Sequence, residues 1–240
     1  MTYLSSLIIQ FNVQKEQHDC TKYNNLFKTN KLGKAVTLTV DMYCAGYTVY
    51  SGLRLADPKP HEHVAVVGIG ALGTLGIQYS KAAGFETIAV THSKDKEELA
   101  YKLGADSVVS NGEGLLKQRG HRGTSSPSGG EGADVILATS NSYKATADSI
   151  KGLRPDGRFV LMGVSPTEPF AISPEILFKR ARIIGSTQND REHLYEALDY
   201  VAKGKVRVMT EIFPLEEISN AYDKVANGNV RFKAVIEPTK

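Results

Sequence analysis

The stretch VAVVGIGALGTLG, from Val64 to Gly76, decides the fold of this chain. It opens with a run of β-branched residues, after which Gly68, Gly70 and Gly73 follow with the spacing G-x-G-x-x-G. In this spacing the first glycine makes a tight turn, the second lets the backbone approach a pyrophosphate, and the third permits close packing of a helix on a strand. The free N–H groups at the start of that helix favour phosphate oxygens. The motif predicts a dinucleotide site at these glycines and at the intervening Ala71 and Leu72.

From His63 onward, short β-branched runs alternate with longer amphipathic stretches. This alternation predicts βα units in a parallel sheet with helices on both faces, which is a doubly wound (Rossmann) α/β fold. The predicted strands are Val64–Val67, Thr87–Thr91, Ser107–Ser110, Val135–Thr139, Phe159–Gly163 and Ile183–Ser186. Helices are predicted to begin near Leu72, Lys94, Ser142 and Pro174.

The remaining regions divide the chain into three parts. Residues 1–43 form an irregular N-terminal segment without clean periodicity, residues 44–189 the dinucleotide-binding domain, and residues 190–240 a C-terminal αβ tail. Within the domain, residues 111–132 are rich in glycine, serine and proline and are predicted to form a surface loop. In the tail the pattern predicts helix, strand, helix and strand at Arg191–Ala202, Val208–Phe213, Leu215–Ala226 and Phe232–Ile236.

The end of the second strand bears on which dinucleotide binds. An acidic residue there would accept hydrogen bonds from the ribose 2′-hydroxyl of NAD. This chain instead has a run of four residues that can all donate to a 2′-phosphate, namely Thr91, His92, Ser93 and Lys94. The run favours NADP(H). The alternative is that Lys94 and Asp95 only form the solvated start of the next helix.

Composition excludes several classes of protein. The chain has 240 residues, of which 41% are hydrophobic and 23% charged, so it can bury a sizeable core. A net charge of +3 gives no reason to expect nucleic acid or an anionic membrane as partner. Two cysteines, Cys20 and Cys44, are too few for a disulfide framework, and no targeting segment or membrane span is visible. We therefore expect a cytoplasmic protein.

Several stretches together resemble the zinc-type medium-chain alcohol dehydrogenases, in particular their cinnamyl-alcohol and aldehyde-reductase-like branch. They are CAGYTVYSGLRLADPKP from Cys44, KAAGFETIAVTHSKDKEELAYKLGAD from Lys81, GLRPDGRFVLMGV from Gly152 and IIGSTQNDREHLYEALDYVAKGKV from Ile183. The likeness extends from Cys44 to the C-terminus. It implies an oxidoreductase that transfers a hydride between NADP(H) and a small-molecule alcohol, aldehyde or ketone.

The resemblance also implies roles for individual residues. Cys44 matches a ligand of the catalytic Zn²⁺, and Thr48 matches a catalytic-site residue near the nicotinamide. Arg231 matches an arginine that reaches the pyrophosphate. Further cofactor-binding positions at the strand ends, near the nicotinamide and its ribose, are Thr139, Met162, Gly163, Val164 and Ser186.

In the family, a GroES-like catalytic domain precedes this region and supplies two more zinc ligands. No such motif stands before Cys44, so the zinc site is expected to be incomplete, the chain truncated, and catalysis by the isolated chain absent. The family's tail packs on that domain, and its members self-associate through the sheet edge near Ile183, which suggests a homodimer. Two alternatives are a non-catalytic dinucleotide-binding or dimerisation module, and a zinc-free reductase, against which Cys44 argues.

Overall fold

The computed structural model describes residues 7–9, 42–117, 132–165, 167–227, 229–230 and 232–237. The strands in these residues are β1 Leu7–Ile9, β2 His63–Val67, β3 Glu86–Val90, β4 Ser107–Val109, β5 Ala133–Ala138, β6 Leu153–Leu161, β7 Arg182–Gly185, β8 Glu211–Pro214 and β9 Ala234–Glu237. The helices are α1 Tyr47–Ala56, α2 Ala71–Ala82, α3 Lys94–Lys102, α4 Gly112–Leu116, α5 Tyr143–Ser149, α6 Glu175–Phe178, α7 Arg191–Ala202 and α8 Ile218–Ala226. A π-helical turn, Met42–Gly46, precedes α1, and short 3-10 turns lie at Ile150–Gly152 and Leu215–Glu217.

The larger sheet has six parallel strands in the order β4-β3-β2-β5-β6-β7. From β2 the chain moves outward through β3 to β4, and then returns to the other side of β2 to add β5, β6 and β7. The order therefore reverses between β2 and β5, where Val66 lies opposite Ala89 on one side and Leu137 on the other. The predicted doubly wound fold is confirmed.

Both faces of this sheet are covered. All five residues of β2 are buried, and its side chains alternate between two cores. Val64 and Val66 face a core that also contains residues of α1, α2 and α7, whereas Ala65 and Val67 face the core under α4 and the 3-10 turn after α5. Burial on both faces explains why the strand is a continuous apolar run instead of an alternating one.

The first helix of the tail packs on this domain. Helix α7, predicted correctly as Arg191–Ala202, lies against α1, and three tyrosine rings meet between these helices and α2. The ring centroids of Tyr50 and Tyr79 are 5.1 Å apart, and those of Tyr79 and Tyr200 are 5.8 Å apart with the rings perpendicular. The division of the chain at residue 189 stays a prediction.

The two strands of the tail and β1 from the N-terminal segment form a second, three-stranded parallel sheet in the order β1-β9-β8. Helix α8 covers it with a small core that includes Phe213, Ala221 and Ile236. The strand predicted at Val208 begins only at Glu211, and the helix predicted at Leu215 begins as a 3-10 turn.

Two predictions of irregular structure are wrong in part. Leu7–Ile9 is a strand that pairs with β9, although residues 1–43 are predicted to be irregular, because three residues are too few to show a periodicity. In the predicted loop 111–132, Gly112–Leu116 is a helix, which Asn111 caps by accepting a hydrogen bond from the Gly114 N–H at 2.8 Å. Residues 118–131 of that loop lie outside the described residues.

Candidate functional site

The candidate site lies at the carboxyl edge of the six-stranded sheet, where the strand order reverses between β2 and β5. Gly68 follows β2 with a φ of +89°, and its N–H donates to the carbonyl of Val90 at 3.0 Å. A Cβ at this position would lie 2.8 Å from the Cβ of Ser140. Both the left-handed backbone and the contact with Ser140 therefore require glycine.

The other two motif glycines differ in their surroundings. A Cβ at Gly73 would lie 1.8 Å from the carbonyl oxygen of Gly68, so helix α2 rests directly on the turn. A Cβ at Gly70 would have no heavy atom within 4 Å, so the space over this residue is open. Gly70 is also the N-cap of α2, and Ala71 and Leu72 in the first turn are half-buried. The N–H groups of a first helical turn have no acceptor within the helix, and the open space over Gly70 lies at this end of α2.

Thr139 supports the turn from the neighbouring strand. Its hydroxyl lies 2.9 Å from the carbonyl oxygen of Val67 and 2.8 Å from that of Gly68, as donor. Its N–H also donates to the Val67 carbonyl. The Thr139 hydroxyl therefore stabilises the conformation of the turn after β2, which is the backbone that a dinucleotide would approach.

The ends of β6 and β7 complete this edge. A Cβ at Gly163 would lie 1.9 Å from the carbonyl oxygen of Ser140, so this strand end packs against the turn after β5. The thioether of Met162 is buried against α1, whereas Val164 is 62% exposed. Ser186 is buried, and its hydroxyl accepts a hydrogen bond from the Asn189 side chain at 3.0 Å.

The four residues predicted to favour a 2′-phosphate follow β3. The Thr91 hydroxyl accepts from the Ser93 N–H at 3.2 Å, and Ser93 donates its own hydroxyl to Asp95. The side chains of His92 and Lys94 are exposed. Two cationic or potentially cationic groups are therefore available to an anion here, whereas the Ser93 hydroxyl already has an acceptor.

Sequence reasoning missed an acidic neighbour of this cluster. Asp148, at the end of α5, accepts hydrogen bonds from the Lys151 ammonium at 2.8 Å and from the Gly112 N–H at 3.0 Å. The bond from Lys151, followed by the Gly112 bond and a smaller contribution from the charge of His92, lowers the pKa of Asp148. Lys151 lies only three residues from Asp148, but no local sequence signal links Asp148 to His92 or Gly112.

Lys233 is a second residue that sequence reasoning missed. Its side chain is only 2% exposed, and it lines a cleft beside the first turn of α2 together with Ala71, Thr74, Met209 and Phe232. A lysine directly before the apolar strand β9 is a detectable signal, since lysine is rarely buried without a reason. Arg231, which the resemblance assigns to the pyrophosphate, lies outside the described residues.

A family model for the zinc-binding dehydrogenases matches residues 71–203, which is more than half of the chain. The chain belongs to the zinc-binding dehydrogenase family. The match begins at the first residue of α2 and ends just after α7.

Individual zinc-binding dehydrogenases and their relatives give a consistent picture. The chain is 37% identical over 201 residues to an alcohol dehydrogenase of Geobacillus stearothermophilus, and 34% identical over 199 residues to the aldehyde reductase YahK of Escherichia coli. Each alignment covers 82% of this chain, but only 56% and 54% of those proteins. The chain thus spans little more than half the length of these relatives.

A solved structure supports the same relationship. A protein of Sinorhizobium meliloti 1021 that is assigned to the zinc-binding dehydrogenases, crystallised with NADP bound, superposes with a TM-score of 0.66 at 26% identity. The superposition covers 81% of this chain and 58% of that protein.

The described residues do not contain a complete set of ligands for the zinc ion that gives the family its name. Cys44 is exposed in the π-helical turn, and Thr48 is half-buried in the first turn of α1. Within the part of the chain that the structure describes, no three histidine, cysteine or acidic side chains are grouped so that they could hold a metal ion. These residues therefore do not fit a zinc site, and we derive no step through a metal.

Within the same described ranges, no helix is both long enough and apolar enough to cross a membrane.

Proposed function

We propose that this chain is the dinucleotide-binding part of an NADP(H)-dependent oxidoreductase that interconverts an alcohol with an aldehyde or ketone. One observation carries the proposal: the start of α2 faces open space over Gly70, at the point where the strand order reverses. In open α/β sheets, ligands bind at this position. The relatives named alcohol dehydrogenase and aldehyde reductase support the class of substrate.

In this proposal the pyrophosphate lies over Gly70, where the first-turn N–H groups of α2 donate to its oxygens. Lys233 beside the same turn adds a positive charge, which stabilises an anion in a site with little water. Gly68 and Gly73 have a different role, because their packing fixes the backbone on which the pyrophosphate rests.

The nicotinamide end of the dinucleotide would extend along the same edge toward Gly163, Val164 and Ser186. When bound, the dinucleotide would supply or accept the hydride. The residues of this chain would orient it, and Ser186, which is buried just after β7, would lie at this end of the site. Thr48 and Cys44 stay proposed residues of the reacting end.

We propose NADP(H) over NAD(H) because of the groups after β3. A 2′-phosphate carries about 1.5–2 negative charges at neutral pH, as other phosphate monoesters do, and it would meet the exposed side chains of His92 and Lys94. Asp95 and Asp148 are acidic, but each is already paired, Asp95 with the Ser93 hydroxyl and Asp148 with Lys151. The S. meliloti relative with NADP bound supports the same choice.

Titration of the purified chain with NADPH and with NADH, followed by nicotinamide fluorescence, tests the proposal. We expect NADPH to bind at least about tenfold more tightly, the equivalent of one favourable charged contact. The preference should shrink as salt concentration rises, since the contacts that cause it are exposed. Equal affinities would contradict the NADP(H) assignment, and a complete lack of binding would contradict the proposed function.

We also propose that two copies of the chain associate through β7. Among the described strands, β7 pairs with β6 alone, so its other edge is open. Beside it, Leu177 and Phe178 are 73% and 83% exposed, and Ile183 on the strand is 36% exposed. An open strand edge with exposed apolar neighbours favours addition of a second strand. The low cysteine content supports a cytoplasmic setting for this dimer.

A further inference from the structure

The side chain of Gln78 joins the dinucleotide helix to a distant part of the chain. Gln78 lies on α2 and is 8% exposed. Its amide nitrogen donates to the carbonyl of Arg207 at 2.9 Å and to that of Thr74 at 3.1 Å, and its amide oxygen accepts from the Arg207 N–H at 2.8 Å. The amide group thus pairs with Arg207 on both sides, as a neighbouring strand would do.

The segment that begins at Arg207 leads directly to the candidate phosphate site. Its next two residues, Val208 and Met209, line the cleft that also contains Ala71 and Thr74. Glu211, at the end of the segment, donates its N–H to the carbonyl of Lys233 at 2.8 Å. A continuous path of backbone and side-chain bonds therefore leads from Gln78 to Lys233.

From this path we infer that Gln78 is a positioning residue for dinucleotide binding, which holds Lys233 beside the first turn of α2. The inference rests on the proposed function, because it assigns Lys233 to the pyrophosphate. Gln78 lies on the second turn of α2, further along the helix than the pyrophosphate site at its start. Its effect on affinity passes through Arg207 and Lys233.

The geometry also says what a substitution does. Leucine has nearly the volume of glutamine but neither donates nor accepts, so Gln78→Leu leaves the N–H and the carbonyl of Arg207 without the amide. These contacts are partly buried, so the loss of their partner is unfavourable, and we expect the segment to move so that both groups reach water. Because Lys233 is bonded to the end of that segment, its ammonium group moves with it.

The experiment is a double-mutant cycle with Gln78→Leu, Lys233→Met and the double variant. Affinity for NADPH is measured by fluorescence titration, and affinity for adenosine 2′-monophosphate, which lacks the pyrophosphate, by competition. Each single variant should weaken NADPH binding about tenfold, and the double variant no more than about twentyfold, because both changes remove the same contact. Affinity for adenosine 2′-monophosphate should change less than about twofold, because the 2′-phosphate contacts are untouched.

Gln188→Leu is the matched control. Gln188 also bonds to a distant backbone group, the Tyr43 carbonyl at 2.7 Å, but it is exposed and does not line the cleft. We expect this variant to bind NADPH as the wild type does. Hydrogen exchange should become faster at the Arg207 amide in Gln78→Leu and stay unchanged in Gln188→Leu.

The outcomes separate the inference from the proposed function. Wild-type binding of NADPH with an unaffected Gln78→Leu variant would overturn the inference alone. A loss of NADPH affinity of about a hundredfold in the double variant would also overturn the inference. The two tenfold losses would then be independent, since residues that do not interact have additive free energies. If the affinities for NADPH and for adenosine 2′-monophosphate fall by the same factor, the substitution has damaged the fold in general, which would contradict a positioning role. A wild-type chain that binds neither ligand would overturn the proposed function and the inference with it.

Discussion

Replacement of Gly70 by valine should abolish dinucleotide binding and leave the fold nearly unchanged. The backbone at Gly70 is extended, with φ −107° and ψ −157°, which a β-branched residue adopts readily, and a Cβ there meets nothing within 4 Å. Valine is a weaker N-cap than glycine, at a cost of about 0.5–1 kcal/mol. Restriction of the unfolded chain offsets about 0.4–1 kcal/mol of that. The free energy of unfolding should therefore change little.

The loss of binding follows from the same open space. The valine methyl groups would occupy the volume over the first turn of α2, and the pyrophosphate could no longer reach the N–H groups there. Hydrogen bonds to a charged group contribute about 1.5–3 kcal/mol each, so the loss of two weakens binding by about 3–6 kcal/mol. This corresponds to a factor of at least about 100 in the dissociation constant.

Gly73→Ala is the contrasting variant. Its Cβ would lie 1.8 Å from the Gly68 carbonyl oxygen, so either the turn or the helix must shift. Overpacking of this kind costs about 1–3 kcal/mol, and urea unfolding should show it as a lower midpoint. NADPH titration and urea unfolding of both variants form the assay. Our reasoning is refuted if Gly70→Val binds NADPH within about threefold of the wild type, or if Gly73→Ala is as stable as the wild type.

Three further changes test other parts of the structure. Thr91→Asp should reverse the preference to NADH by about tenfold or more, because it sets a carboxylate against the 2′-phosphate; calorimetry with both cofactors measures this. Ile183→Lys should convert the dimer to a monomer in light scattering, since a lysine on an edge strand opposes strand addition; a monomeric wild type would exclude the dimer. Asp148→Asn should lower the urea midpoint at neutral pH. Because Lys151 lowers the pKa of Asp148 in the folded chain, this stabilisation exists above the unfolded pKa of about 3.9 and disappears as the pH falls further, so the two proteins should converge in acid. An equal difference at all pH values would rule out the charge as its cause.

The six-stranded sheet was predictable because its strands are apolar, β-branched and bounded by turn residues. The exception is β6, which begins at Leu153, although the sequence predicts a strand only from Phe159. Between them, Pro155, Asp156 and Gly157 read as a turn, and Asp156 indeed has a φ of +61°. The register of the pairing between β5 and β6 shifts at this turn. The strand therefore continues through an irregularity at which the local sequence predicts that the strand begins.

Helix α1 has a helical pattern of apolar residues that could have been detected in the sequence but was not predicted. Val49, Tyr50, Leu53 and Ala56 are buried at the spacing of one helical face. Helix α4 and strand β1 offer no such signal, since neither is longer than five residues. Short elements of this kind are stabilised by their partners, which a single sequence does not reveal.

The proposed phosphate site has one part that a local sequence motif specifies and one part that it does not. The glycine motif defines the turn and the start of α2, and each of its glycines has the steric environment that the spacing predicts. The buried lysine beside that turn, Lys233, immediately precedes β9, and in our inference Gln78 holds it there through the segment before β8. Gln78 is on the same helix as the motif, two turns from its start, so one helix carries both the N–H groups that we propose to bind phosphate and the attachment of the segment that leads to Lys233. A change in how α2 packs on the sheet would consequently alter both halves of the site together, and the two contributions to affinity should be coupled instead of independent.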